Sequence, residues 1–436
     1  MAESTESLYK EFLADKYKPT VDSLVRLING EEGDRTYLQD ELLTPKLAVT
    51  GTFEAVTSDN TYVMADFVAL DSEIPLKRRD SLGKVTGKLV KSGMALPLNE
   101  SQMQDIDTMM SIGADEQDIV DAVMEDTTRC IRGHKELMEC ALLEEFSTGV
   151  CEIEDTETAG IAVRINVGYL DENKFSPQVL WSDTEHSKPL DDFEKVIDAA
   201  ASKKRDLNYV WMDKVAWRNF RDSKQVREYV AGRDKKVYVA GLNSDSLPKS
   251  SLADINAILK EDELYGVEIR LIDFKAVCEI NGQRTTVVPW KNGMVVFTRS
   301  NKIGKLWHAK VAEANHRDAS TTYIELDNNV LLSKYRTSKP TLKEWTQIQA
   351  RTVPVIDGAE GIYQLDTTAT ITDTSEDNKI TIGETEHKKS DILTAIAAVT
   401  GVTLPANTTD AAVVQLFNSW NKKVQADVIA AIVDTE

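Results

Sequence analysis

Histidine and cysteine are the side chains best able to hold a metal or attack a substrate, and this chain has five of one and four of the other. Their spacing assembles no site. His134, His186, His308, His316 and His387 are scattered, none beside another ligand at metal-binding spacing, and no CxxC or HExxH occurs. His186 alone has close acids, Asp183 and Glu185, in a polar stretch that reads more simply as a solvated loop. His134 falls inside a helical pattern, where an interior or capping role is the plainer reading. Asp191 and Asp192 follow Pro189, the position where acids favour a helix N-terminus, so they read as first-turn residues and not as a catalytic dyad. Phosphate loops of the GxGxxG and GxxxxGK[ST] kinds are absent, as is a GxSxG nucleophile elbow. Cys130 and Cys140 are ten residues apart on one expected helix, about 15 Å, too far for a disulfide, and read as buried small hydrophobes. The expectation is no catalytic residue, no cofactor and no metal.

Charge is more informative. The chain has 51 basic and 72 acidic residues, a net charge of −21. A surface that grips nucleic acid non-specifically needs the opposite balance. Against this background Lys77, Arg78, Arg79, Lys84, Lys88 and Lys91 stand within fifteen residues, with Asp80 their one acid. Gly83 and Gly87 punctuate the run, which suggests a two-stranded basic hairpin or loop. A solvated loop is one reading and an arm reaching an acidic neighbour is another. Nucleic acid is a third, but no aromatics are interleaved for base stacking.

Of the 436 residues, 42 % are hydrophobic, enough for one large core or several smaller ones. Disorder, a disulfide scaffold and a Gly/Pro fibre are excluded. The first twenty residues lack the basic-then-apolar pattern of a signal peptide, and no run reaches 18 apolar residues, so synthesis in a reducing cytosol and no membrane span are expected.

The elements that must position these residues follow from periodicity. Residues 4–29 are amphipathic, interrupted by Pro19, and suggest two short helices or an arm. Residues 47–98 read as strands. Val120, Met124, Thr127, Ile131, His134, Met138 and Ala141 step by fours and threes, predicting a long helix over 115–146. A strand of period two is expected around Ile161–Val167, and a helix starting at Pro189. Tyr209–Trp211 reads as a buried strand, with Asp213 capping a helix that carries Trp217 and Phe220. A helix over 250–260, a strand over 267–272, an Asn281-Gly282 hairpin and a strand over 294–299 complete a mixed α+β region at 190–335. Strands over 336–361 close the body. Residues 366–378 read as a polar linker to a tail of two or three short helices. Seven tryptophans spread beyond the long helix suit either cores or interfaces.

In serial order these features resemble the major capsid proteins of tailed bacteriophages, in particular the lambda-type capsid protein E family with its HK97-like fold. The resemblance is carried by Val179-Leu180-Trp181-Ser182-Asp183 followed by Pro189–Phe193, and by Val210-Trp211-Met212-Asp213 with Trp217, Phe220 and Val226. Tyr265-Gly266 to Ile272, Asn281-Gly282, then Pro289, Asn292, Met294 and Val295 continue it. Pro340, Trp345 and Gln349–Pro354 close it. It spans roughly residues 45–357.

The resemblance implies an α+β subunit with an N-terminal arm (1–45), an E-loop region (46–97), a peripheral domain (98–188) with a spine helix at 115–146, an axial domain (189–335), a return to the peripheral domain (336–365) and a linker with a helical C-terminal extension (366–436). It implies self-assembly into hexamers and pentamers of an icosahedral shell around double-stranded DNA. The basic cluster Lys77, Arg78, Arg79, Lys84, Lys88 and Lys91 would then contact the next subunit. Partners would be further copies of the chain, the portal, a scaffold or protease, a decoration protein, and DNA through weak contact only. Location would be the virion shell, assembled in the host cytoplasm. The tail beyond 366 exceeds the family's usual end, and no Lys–Asn crosslink is expected. An encapsulin-like compartment shell and a cytosolic enzyme of unfamiliar type stand as alternatives.

Overall fold

The structure is a computed structural model of the chain. It describes residues 4–5, 7–9, 37–57, 83–153, 163–233, 247, 249–262, 264–280, 283–339, 341–370, 379–382 and 385–388, with single positions between 392 and 431.

The first described strand, β1, is Ser4–Thr5. A short helix α1 (Leu38–Leu42) runs directly into β2 (Leu43–Leu47). β3 (Thr52–Thr57) pairs antiparallel with β4 (Gly83–Lys88), and β5 (Ser92–Leu98) follows. Asn99 opens α2 (Glu100–Ser111), where the Gln102 side chain accepts the Asn99 amide at 2.9 Å. Gly113 turns the chain with φ 69° into α3 (Glu116–Thr148). This helix has 33 residues, about 50 Å at 1.5 Å per residue. It ends at Gly149, whose φ of 80° no β-carbon-bearing residue adopts easily. β6 (Val150–Ile153) and β7 (Val163–Asn166) pair just beyond it.

A second module follows: β8 (Lys174–Phe175), α4 (Pro189–Ser202), β9 (Tyr209–Asp213), α5 (Lys214–Asp222), α6 (Lys224–Arg233), α7 (Leu252–Glu261) and β10 (Glu268–Ile272). The Asp213 carboxylate caps α5, accepting the amides of Val215 and Ala216 at 3.2 Å each. β11 (Ala276–Ile280) and β12 (Gln283–Val287) form the hairpin that flanks Asn281-Gly282. Then come β13 (Met294–Thr298), β14 (Gly304–Ala309), α8 (Ala312–Asn315), β15 (Thr322–Leu326), β16 (Val330–Thr337), the 14-residue β17 (Lys343–Ile356), β18 (Tyr363–Asp366), β19 (Lys379–Ile382) and β20 (Thr385–Lys388).

Two large sheets organise these elements. A seven-stranded sheet is built on β17, with β16 and β5 along its first half and β14 along its second; β2 extends β14, while β15 and β1 extend β16. Helix α3 packs on this sheet, and Cys130, Ile131, Leu142, Leu143 and Phe146 share one core with Leu332, Ile348, Ala350 and Ile356. A five-stranded sheet has the order β10-β9-β13-β18-β8. Its helix-covered face forms a second core around Trp181, Phe193, Phe220 and Phe297, with Phe193 5.0 Å from both Phe220 and Phe297. Strand alternation sends Val210, Met212, Val295 and Phe297 into that core, and Trp211 and Val296 into the first. The end of α3 therefore docks on the back of the second sheet, with Phe146 5.9 Å from Trp211 and 5.5 Å from Trp290.

The α+β class expected from the sequence is what the structure has, and the long helix lies where its periodicity placed it. Several local expectations change. In the described part of the basic stretch 77–91, β4 takes β3, some thirty residues upstream, as its partner. Strand pairing divides the stretch 189–335, because β13 joins the second sheet while β14, β15 and β16 join the first. The linker expected over 366–378 does not begin at 366: Asp366 closes β18, and Thr367 is buried with its hydroxyl donating to Gly293 O at 2.7 Å, while 371–378 lie outside the described residues. The tail opens with the antiparallel pair β19–β20 before its helical positions. The helices expected over 4–29 fall mostly outside the described residues.

Candidate functional site

The ribbon β3–β4 belongs to neither large sheet, and what fixes its base is specific. Phe53 and Leu89 are buried, in a cluster with Ala48, Ile165, Trp307, Ala309, Val353 and Val355. The ring of Phe53 lies against Gly87: a β-carbon there would stand 2.5 Å from Phe53 Cε1. At the neck, the Leu89 amide donates to Gly51 O at 2.9 Å, and the Ala48 amide donates to His308 O at 2.8 Å. Gly51 has φ 69°, and the Arg351 guanidinium occupies the space where a side chain would begin. Arg351 Nη2 reaches Leu89 O at 3.4 Å. Backbone bonds, one aromatic plug and one arginine thus join the ribbon to β14 and β17.

Residues 58–82 connect the two ribbon strands. Of the six basic residues singled out in the sequence, Lys77, Arg78 and Arg79 lie in that segment, outside the described residues. Lys84 stands in β4 opposite Val56. Lys88 closes β4 opposite Thr52, and both Lys88 and Lys91 are exposed. The structure therefore brings Lys84, Lys88 and Lys91 onto the returning strand and its exit. Sequence reasoning missed the Phe53–Gly87 plug and the Arg351 clamp. A glycine inside a strand pattern was the available signal, since it often marks close approach by another group.

The acids and histidines singled out in the sequence have structural partners. His186 Nδ1 lies 2.9 Å from Asp183 Oδ2 on the surface, and this contact lowers the Asp183 pKa. Asp192 is buried; its Oδ2 accepts Trp181 Nε1 at 3.0 Å and its Oδ1 meets Lys195 at 3.2 Å. Asp191 faces Lys188 at 3.5 Å. His134, in α3, is partly shielded between Thr352 and Ser92, and desolvation, with Lys135 beside it, lowers its pKa. Among the described residues no group of three or more His, Cys, Asp or Glu stands together as a metal site, and no helix is long and apolar enough to cross a membrane.

Two acids of α3 tie the helix to its neighbours. The buried Glu139 carboxylate accepts the amides of Leu38 and Gln39 at 2.9 Å each, capping α1; burial outweighs these bonds and raises its pKa to about 7. Glu145 is fully buried and accepts the Ile356 amide at 3.0 Å, and desolvation raises its pKa to about 8. Glu139 thus ties the long helix to α1, and Glu145 ties it to the end of β17.

No family model and no curated protein matches the chain. Solved structures do resemble it at low identity. A protein of an Escherichia coli CFT073 prophage, described as its capsid protein, aligns at 15 % identity and TM-score 0.48 over 79 % of this chain and 98 % of its own. A phage-related protein from Bordetella bronchiseptica RB50 aligns at 11 % identity and TM-score 0.44 over 84 % and 98 %. The mature capsid of bacteriophage PhiM1 aligns at 8 % identity and TM-score 0.38 over 76 % and 87 %.

Proposed function

We propose that this chain is a major capsid protein of a tailed bacteriophage, with an HK97-like fold, assembling with itself into hexamers and pentamers of an icosahedral head around double-stranded DNA. One observation carries the reading. The densest basic run of an acidic protein lies on and beside a two-stranded ribbon that neither large sheet includes, and the ribbon's base is locked to the body. A rigid base under a charged segment suits contact with another copy better than catalysis.

In this reading residues 46–97 are the E-loop region and α3 is the spine. The seven-stranded sheet is the peripheral domain, and the five-stranded sheet with its helices is the axial domain. Lys77, Arg78, Arg79, Lys84, Lys88 and Lys91 meet acidic surface on the adjacent subunit, where such pairs set register more than affinity. Closed symmetry then multiplies many weak contacts into a stable shell. The role is structural and needs no cofactor. The protein resides in the virion shell after assembly in the bacterial cytoplasm. Portal, scaffold or protease and a decoration protein are its further partners, and packaged DNA touches it weakly.

Electron microscopy of the purified protein, and of particles from cells carrying the neighbouring genes, tests this. Rings or closed shells filled with DNA are expected. Shells around a cargo enzyme would favour a compartment instead, and a monomer that never forms rings or shells, even with scaffold and chaperones supplied, overturns the reading.

A further inference from the structure

A group of buried polar side chains lies between α3 and the β16–β17 pair. Lys334 and Thr346 are opposite each other in register, and Glu344 is two residues along the same face. All three are 1 % exposed, and Thr127 of α3 is fully buried. Lys334 Nζ donates to Val123 O at 2.7 Å. That bond uses one of three ammonium protons. Both Glu344 oxygens, Thr127 Oγ1 and Thr346 Oγ1 are buried with no protein hydrogen bond. Such atoms are rarely left unpaired in a folded protein, and a cation and an anion among them make the site strongly polar.

One wall of this group is the N-terminus itself. Ser4 and Thr5 pair with Thr337 and Arg336 at the end of β16. Ser7 and Tyr9 are buried, and the Tyr9 hydroxyl approaches Met103 O at 3.5 Å. Burial raises the Glu344 pKa; the Ser7 hydroxyl and Leu8 amide face its carboxylate and oppose that shift, yet neither reaches hydrogen-bond geometry.

We propose that Thr127, Lys334, Glu344 and Thr346 form an internal water-binding site, and that Ser4, Thr5 and Ser7 to Tyr9 are the strap that seals it. Water suits the four groups because a single molecule donates to the carboxylate and accepts from the ammonium, and either role serves a threonine hydroxyl. The strap turns the surface edge of β16 into an interior, so the N-terminal residues are part of the subunit core. Their removal would open Lys334 and Glu344 to solvent.

Two measurements test this on the full chain. The isosteric double variant Thr127→Val with Thr346→Val separates bound water from unpaired hydroxyls. If water bridges these groups, the variant loses bonds and its unfolding temperature shifts downward. If the hydroxyls have no partner, the temperature rises or stays the same, and the water site is overturned. Amine acetylation followed by peptide mass spectrometry reads the strap. Lys334 should react on the order of tenfold or more slowly than exposed Lys188 in the intact chain, and should gain reactivity when residues 2–9 are deleted. Tyr9→Ala provides a milder opening if the deletion does not fold. Rapid labelling of Lys334 in the intact chain, or unchanged protection in a folded opened variant, overturns the seal.

Discussion

Phe53 and Gly87 interlock across the ribbon: the ring stands where a side chain on residue 87 would begin, 2.5 Å from an ideal β-carbon. The contact holds two strands joined by a 25-residue segment in one register, because Phe53 is also buried against β14 and β17. The plug thereby fixes the strand that carries Lys84 and Lys88 relative to the body.

Gly87→Ala is expected to cost about 1–3 kcal/mol, since the ring must leave its pocket or the strands must part. Gly361→Ala is the control, because nothing stands within 4 Å of its added carbon. Chemical denaturation compares the two. Equal stability would show that Phe53 does not depend on Gly87.

Reversing Arg78 and Arg79 to Glu is expected to block shell assembly while leaving the subunit folded. Opposite charges across an interface set docking orientation, and inverting them places like charges together. Circular dichroism checks the fold and electron microscopy checks assembly. Normal shells from the double variant would remove the electrostatic role of the arm.

Glu145 links stability to pH. In the unfolded chain a glutamic acid ionises near 4.5, whereas burial keeps Glu145 protonated up to about 8. Between these values the folded chain keeps a proton that the unfolded chain has released. The stability this contributes is complete below about 4.5 and is lost as pH rises toward 8, by roughly 5 kcal/mol at most. Glu145→Gln keeps an acceptor for the Ile356 amide and cannot ionise. Its unfolding temperature should fall less steeply between pH 5 and pH 8 (about the range bounded by the two values). The same slope as the parent would show that Glu145 is not the titrating group.

Glu139→Gln should be the more damaging amide substitution. Glu139 uses its carboxylate to accept two backbone amides, and a glutamine turns an NH2 toward one of them. A loss of about 1–3 kcal/mol is expected, with faster amide exchange at Leu38 and Gln39. Unchanged exchange at these two amides would show that the cap is dispensable.

Much of this molecule is written in short-range patterns. The three-and-four spacing from Val120 to Ala141 marks α3, Asp213 marks the start of α5, and Asn281-Gly282 marks the point between the paired strands β11 and β12. Each depends on residues a few positions apart, so helix periodicity, capping and turn chemistry decide them locally. The candidate basic run was legible for the same reason: charge is a property of composition.

Tertiary structure alone decided which strands meet and which polar residues go inside. β4 reads equally well as half of a local hairpin, and only the Phe53 plug and the Arg351 clamp show why β3 is its partner. β13 and β14 are adjacent in sequence, yet they join different sheets. By residue type Lys334, Glu344 and Thr367 belong to the surface, and the packing of α3, β17 and Gly293 buries them. Pairing across long sequence separations is chosen by the total packing of the molecule, a sum over residues that no local window of sequence contains.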